Sequence, residues 1–246
     1  MDLLIKVDNE QLFEKVKRAV IQLISQLSLT NKDRLPPEAD LASQLGVSRT
    51  VIRDVLSDLE SKGFISRRRG IGTIINHHVL EATARLDIDQ EIKEILAKTG
   101  YQPSVEQIHY EKTEADEWVA ELLHLNPGEE ILRVEKVICA DGVPAVHIID
   151  KIPVKIIRGS YSMKDFEDSI FDFLKEKCSD RIETDLSRIK PVKADNKLAN
   201  IFRIVEGEML LFLDEVGYCA GNYPVLWSQE YFNPDLFDFV VFRRKL

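Results

Sequence analysis

Two arginines one helical turn apart, Arg49 and Arg53, are followed by the run Arg67-Arg68-Arg69 and the step Gly70-Ile71-Gly72. Residues of this type and spacing suit one chemistry, the gripping of a polyanion. Guanidinium forks hydrogen-bond base edges and phosphates, often through two N–H groups at once. The apolar residues between them say how they are held. Ile52, Val55, Leu56 and Leu59 recur at helical steps, which predicts a helix with one buried face and both arginines on the other. Ser48 is placed to cap that helix, and Gly63 to supply the left-handed residue after it. Phe64 to Ser66 and Thr73 to Ile75 then read as strands around a turn at residues 69–72. A helix over 38–45 ended by Gly46, and an amphipathic helix over 11–27 carrying Leu12, Val16, Ala19, Val20, Leu23 and Leu27, complete the expected core. Thr30 to Asp33 forms a polar loop between them. The expectation is a helix for the major groove with a basic hairpin beside it.

The stretch resembles the winged helix-turn-helix of the GntR family of bacterial transcription regulators. The blocks that carry the resemblance are Leu35-Pro36-Pro37-Glu38-Ala39-Asp40-Leu41-Ala42, Ser48-Arg49-Thr50-Val51-Ile52-Arg53-Asp54-Val55-Leu56 and Gly70-Ile71-Gly72-Thr73. The resemblance implies DNA contacts from Ser48, Arg49, Thr50, Arg53, Arg67, Arg68, Arg69, Gly70, Gly72 and Thr73. Two positions depart from the family pattern. Its serine is Pro37 here and its DNA-contacting arginine is Ala39, so recognition is expected to lean on Arg49, Arg53 and the wing.

A formal charge of −9 over 246 residues argues against nucleic acid until its distribution is considered. Residues 1–76 carry net +2 and residues 77–246 net −11, as expected of a DNA reader carried by an acidic second domain. Few phosphates can be neutralised per chain, which favours a homodimer on a pseudo-palindromic operator of double-stranded DNA. No apolar run approaches the ~18 residues of a membrane span and no signal-peptide core is evident, so a cytoplasmic protein without membrane contact is expected. Cys139, Cys178 and Cys219 are far apart and form no CxxC pair, and His77-His78 reads as a solvated linker. No metal, cofactor or catalytic set is expected.

The domain boundaries read as 1–76 for the reader, 77–96 for a connector, helical over 80–96, and 97–246 for the second domain. That domain mixes helices near 115–123, 169–177 and 195–202 with strands at 104–112, 131–139, 143–152, 181–190, 209–219 and 224–233. Asp141-Gly142 and Gly221-Asn222 mark hairpin turns, and Pro191 is expected to end its strand. Trp118 and Trp227 are expected in cores. The fold class is therefore α+β.

The second half is similar to the effector-binding UTRA domain of the HutC subfamily, with a chorismate-lyase-like antiparallel sheet, through Gly100, Leu132-Arg133-Val134, Asp141-Gly142-Val143-Pro144, Ser169-Ile170-Phe171, Pro224 and Glu230-Tyr231. Strand periodicity puts Arg133 with Glu135, Ile148 with Asp150, and Leu226, Ser228, Glu230 and Phe232 on shared faces, and Ser169 opens a helix. These nine residues form the expected effector site. In sugar-phosphate-binding relatives the resemblance implies a phosphate held by two arginines and a serine, and hydroxyls held by glutamates. Here Glu135, Ile148 and Leu226 stand at three of those positions, so a less anionic, more apolar or amine-bearing small molecule is expected. The leading reading is a ligand-responsive repressor. A lyase-type enzyme and a constitutive architectural DNA binder are the alternatives.

Overall fold

The computed structural model describes residues 9–30, 32–88 and 90–243. Residues 1–8 and 244–246, at the ends of the two expected domains, Asn31 of the polar loop and Asp89 of the expected connector lie outside them. The chain forms two units, one from Met1–Asp89 with Phe239–Leu246, the other from Gln90–Asp238. The division differs from the sequence reading at the C-terminus, where the last segment joins the first unit.

The first unit opens with three helices, α1 (Asn9–Leu29), α2 (Glu38–Leu45) and α3 (Arg49–Ser61). Val16, Val20 and Ile24 of α1, Leu41 and Ala42 of α2, and Ile52, Val55, Leu56 and Leu59 of α3 form one buried core. Leu35, Ile65 and Ile75 close it from the loop and wing. The wing is an antiparallel pair, β1 (Ile65–Arg68) and β2 (Gly72–Ile75), and its base is pinned by the Leu35 N–H donating to the Thr73 carbonyl at 3.0 Å. A short helix α4 (His77–Leu80) follows. His77 is not the solvated linker residue expected, for its ring bridges Ser28 at 2.8 Å and Asp33 at 3.1 Å.

The expected connector helix over 80–96 does not form. Residues Ala84–Arg85 are instead a strand, β3, and helix α5 is confined to Ile92–Lys98. The reason is a buried cation. The Arg85 guanidinium lies between the Phe64 and Phe242 rings, at 5.3 and 5.5 Å from their centroids, and donates to the Lys62 carbonyl at 2.7 Å and to Asp87. Asp87 also accepts from the Phe242 N–H at 3.2 Å. Reaching those partners requires extended backbone, and a packed ion pair outweighs weak helix propensity.

The second unit continues with β4 (Pro103–Glu114), α6 (Glu117–Leu122), β5 (Glu130–Ala140), β6 (Val143–Pro153), α7 (Ile170–Lys177), β7 (Ile182–Lys193), α8 (Asn196–Phe202), β8 (Met209–Cys219) and β9 (Pro224–Phe232). Its six strands form one sheet in the order β4-β5-β6-β9-β8-β7, with every neighbouring pair antiparallel. Pro191 does not end β7 as expected. It pairs with Leu211 because β7 is an edge strand, where a missing N–H breaks no ladder on the open side. One sheet face packs Leu132, Val134, Ile152 and Leu226 against Phe166, Ile170, Phe173 and Leu174. The other packs Ile131, Val216 and Trp227 against α6. Trp118 is 58% exposed on the outer side of α6, against the core position expected of it.

The last strand, β10 (Phe239–Val240), runs parallel to β3 and brings Phe242 against Gly63. Gly63 has φ +80°, and a Cβ there would meet the Phe242 ring at 2.5 Å. Gly63→Ala should therefore lower the folding stability of this unit by about 1–2 kcal/mol from backbone conformation alone, with the ring clash in addition. Chemical denaturation checks this, and a midpoint equal to the wild type would contradict the placement of Phe242.

Candidate nucleic-acid interface and effector site

The Ser48 side chain caps α3 by accepting from the Val51 N–H at 3.3 Å, and the four apolar residues that anchor the helix are fully buried. Ser48, Arg49, Thr50 and Arg53 consequently sit together on the exposed side of its first turns. Arg53 makes only a loose surface ion pair with Glu38, at 3.7 Å. Helix α2 starts at Pro37 with no side-chain cap, and Glu38 and Asp40 in its first turn complement the helix dipole instead.

The wing divides the three consecutive arginines. Arg67 donates to Glu60 at 2.7 Å and to Ser57 at 2.9 Å, both on α3. It therefore braces the wing against α3, a role within the unit beside the DNA contact that the sequence reading expected of it. Arg68 and Arg69 are exposed, next to the turn. Gly70 and Gly72 hold φ of +79° and +104°, and a Cβ on either would touch nothing within 4 Å. Their role is to let the chain reverse at the tip. Thr73 is half-buried at the wing's base, opposite Arg67.

In the second unit the register separates the expected effector residues. Arg133 and Glu135 pair with Lys151 and Ile149, whereas Ile148 faces Lys136 and Glu230, and Asp150 faces Val134 and Ser228. Arg133 and Glu135 thus lie on the face opposite Ile148, Asp150, Leu226, Ser228, Glu230 and Phe232. The cause is a β-bulge. A regular hairpin from the Asp141-Gly142 turn would set Glu135 opposite Ile148, but β5 and β6 shift register at Ile138/Cys139, with Ala145 as the extra residue. One inserted residue exchanges the faces.

On their own face, Arg133 and Glu135 satisfy one another. Glu135 accepts from Arg133, from His147 Nε2 at 2.6 Å and from Lys197 at 3.3 Å. Burial pushes the Glu135 carboxyl up, but the hydrogen bonds and charges of Arg133 and His147 outweigh it and hold it at about 2. The pair is internally neutralised and offers no cation to a phosphate.

The other face carries a polar cluster beside the Phe166–Phe173 core. Lys136, almost fully buried, donates to the Phe166 carbonyl at 3.2 Å and to the Asp168 carbonyl just before α7. Ser169 caps α7, accepting from the Phe171 N–H at 3.1 Å, and its hydroxyl offsets part of the upward push that burial gives the Glu91 carboxyl. Lys93 reaches Asp168 at 2.9 Å. Asp150 is wholly buried in the sheet next to Ser228, and among the described residues neither its carboxylate oxygens nor the Ser228 hydroxyl has a hydrogen-bond partner. Burial pushes the Asp150 carboxyl up to about 6, against the pull of the Lys136 charge and of the adjacent Ser228 hydroxyl. Phe232 is buried edge-on against Phe237 at 5.2 Å, a packing residue at the end of the same face.

Two family signatures fall on these two units. The UTRA domain matches residues 98–238 and the bacterial regulatory proteins of the gntR family match residues 12–75. The chain belongs to the UTRA-domain regulators of the GntR family. Similar proteins include the transcriptional repressor NagR of Bacillus subtilis, 25% identical over 86% of this chain and 86% of that one. The histidine utilization repressor of Pseudomonas putida is 30% identical over 63% of this chain and 61% of that protein. Among solved structures, the possible transcriptional regulator YydK of Bacillus subtilis superposes with TM-score 0.78 at 20% identity, over 94% of this chain and 99% of that one. The effector domain of PhnF from Mycobacterium smegmatis gives 0.58 at 17%, over 65% and 99%. These likenesses show the fold.

The chain is thus a DNA-binding transcription regulator with a ligand-responsive UTRA domain. Sequence reasoning missed Lys136, Lys93 and Glu91 in that domain. Strand periodicity and the resemblance pointed to Arg133 and Glu135, and the bulge brings Lys136 to the face shared with Asp150.

Asp150 also supplies a stability test. The folded domain binds this proton more tightly than the unfolded chain, so the ionised carboxylate opposes folding above pH about 6. The penalty disappears as pH falls from about 6 towards 3.8, the ordinary value. Asp150→Asn should stabilise the protein at pH 7.5 by up to about 3 kcal/mol, the equivalent of that shift, and the gain should shrink across this window. Denaturation at a series of pH values checks both the sign and the window.

Proposed function

We propose that the protein is a repressor that binds a pseudo-palindromic operator as a homodimer in the cytoplasm and is modulated by a small molecule held on the Asp150 face of its UTRA sheet. The observation that carries the DNA half is the exposed first turn of α3, with Arg49 and Arg53 on a helix whose other side is sealed in the core. α3 enters the major groove, and Arg68, Arg69 and the Gly70–Gly72 tip lie along the adjacent backbone or minor groove. Two of the similar proteins are named repressors, which supports the sign of regulation. β7 leaves Leu186 and Ile189 exposed on an open sheet edge, apolar surface that suits self-association. The regulatory reading stands over an enzymatic one because both matched domains are those of regulators. No helix among the described residues is long and apolar enough to cross a membrane. The effector acts by binding one arrangement of the DNA-binding units better than another.

Operator selection from random duplexes with the full chain tests this reading. Inverted half-sites centred about 10 base pairs apart, or a multiple of that, are expected for a dimer. On the selected site Arg53→Ala should cost about 1–3 kcal/mol of specific affinity, the worth of a good base contact. Arg69→Ala should lower the salt slope of binding by about 1 with little change in sequence preference. A single asymmetric site bound by one chain, or unchanged affinity for Arg53→Ala, contradicts the assignment.

A further inference from the structure

We propose that the effector carries a cationic, N–H-rich head group that docks on the Asp150 carboxylate and the Ser228 hydroxyl. The proposal rests on the reading of this domain as an effector receptor and adds the chemical class of its ligand.

A buried carboxylate normally accepts hydrogen bonds or faces a cation, because desolvation without either is expensive. Asp150 is fully buried, and its two oxygens and the neighbouring Ser228 oxygen make no hydrogen bond among the described residues. The cross-strand pairing of Asp150 with Ser228 sets these acceptors side by side, with Glu230 two residues further along β9 on the same face. The nearest cation, Lys136, is turned away by its bonds to the Phe166 and Asp168 carbonyls. Its charge is felt at Asp150, yet it forms no hydrogen bond there.

The remaining charges select against an anionic head group. Asp150, Glu230 and Glu91 all lie within electrostatic reach of Lys136, so carboxylates outnumber the ammoniums of Lys136 and Lys93 around it. A phosphate dianion would enter beside those carboxylates and find Lys136 already occupied. An ammonium, imidazolium or guanidinium-type group meets the opposite situation. It supplies donors to the two carboxylate oxygens and a positive charge to a carboxylate that no cation bonds. Ile148, beside Asp150 on β6, offers apolar surface for the body of such a molecule.

The test uses the full chain and two substitutions, Asp150→Asn and Ser228→Ala, followed by thermal shift and calorimetric titration at pH 7.5. The cationic probes are histamine, agmatine and ethanolamine, and the anionic probes are glucose 6-phosphate and methylphosphonate, all at millimolar concentration. At least one cation should raise the Tm of the wild type, with binding at least tenfold weaker in Asp150→Asn and weakened in Ser228→Ala. The substitution to Asn keeps the shape and removes the charge, so a variant at least as stable as the wild type and unable to respond isolates the head-group contact. The proposal is overturned if no cation binds, if only the phosphates bind, or if cations act equally on Asp150→Asn. An operator titration run alongside separates the two levels. A phosphate that alters operator binding leaves the effector reading intact and removes only the cationic class. Operator binding that no probe alters, together with the absence of any thermal shift, counts against the effector reading as well.

Discussion

The pairing of β6 with β9 at the centre of the UTRA sheet fully buries the Asp150 carboxylate, to which no cation among the described residues is hydrogen-bonded. Much of the second unit is arranged around that constraint. Phe166, Phe173 and Leu174 seal the same face with apolar packing, Lys136 is drawn aside to carbonyls at the start of α7, and Ser169 is committed to capping that helix. The opposite face resolves its charges internally, with Arg133, His147 and Lys197 converging on Glu135. One side of the sheet is electrostatically closed and the other holds an open requirement. A group that opposes folding is understandable at a ligand site, where binding and not folding completes its partners.

The DNA-binding unit follows a simpler logic. Its core fixes α3 by four apolar residues, and Arg67 and Glu60 fix the wing to that helix, so the exposed arginines project from a braced scaffold. The chain passes between the two units twice, at residues 89–90 and 238–239. The second passage leads from β9, which carries Ser228 and Glu230, to β10 and to Phe242 against Gly63 just after α3. The strand that carries Ser228 and Glu230 is thereby close in sequence to a segment packed at the end of α3.

The reader was legible in the sequence because its signals are local. Ser48, the spacing of Ile52, Val55, Leu56 and Leu59, and Gly63 each act within a turn or two, and the structure places them as that spacing requires. The antiparallel hairpins were legible for the same reason, through their turn residues. What the sequence hid depends on distant partners or on a single inserted residue. Arg85 leaves a helical pattern to sit between Phe64 and Phe242, and its partner Asp87 meets Phe242 across 155 residues of chain. Pro191 continues its strand because that strand is at the edge, which only the full sheet order reveals. The bulge at Ala145 is the most consequential, since it sets Lys136, and not Glu135, across from Ile148.

The central claim is that Asp150 is a buried carboxylate without a bonded partner in the absence of effector. Carbon-detected NMR of the aspartate carboxyl groups, with Asp150→Asn used to assign the resonance, measures its titration directly. The account predicts a midpoint at about 6 in the free protein. A midpoint at or below the ordinary 3.8 would show that the carboxylate is already solvated or paired, and would contradict it.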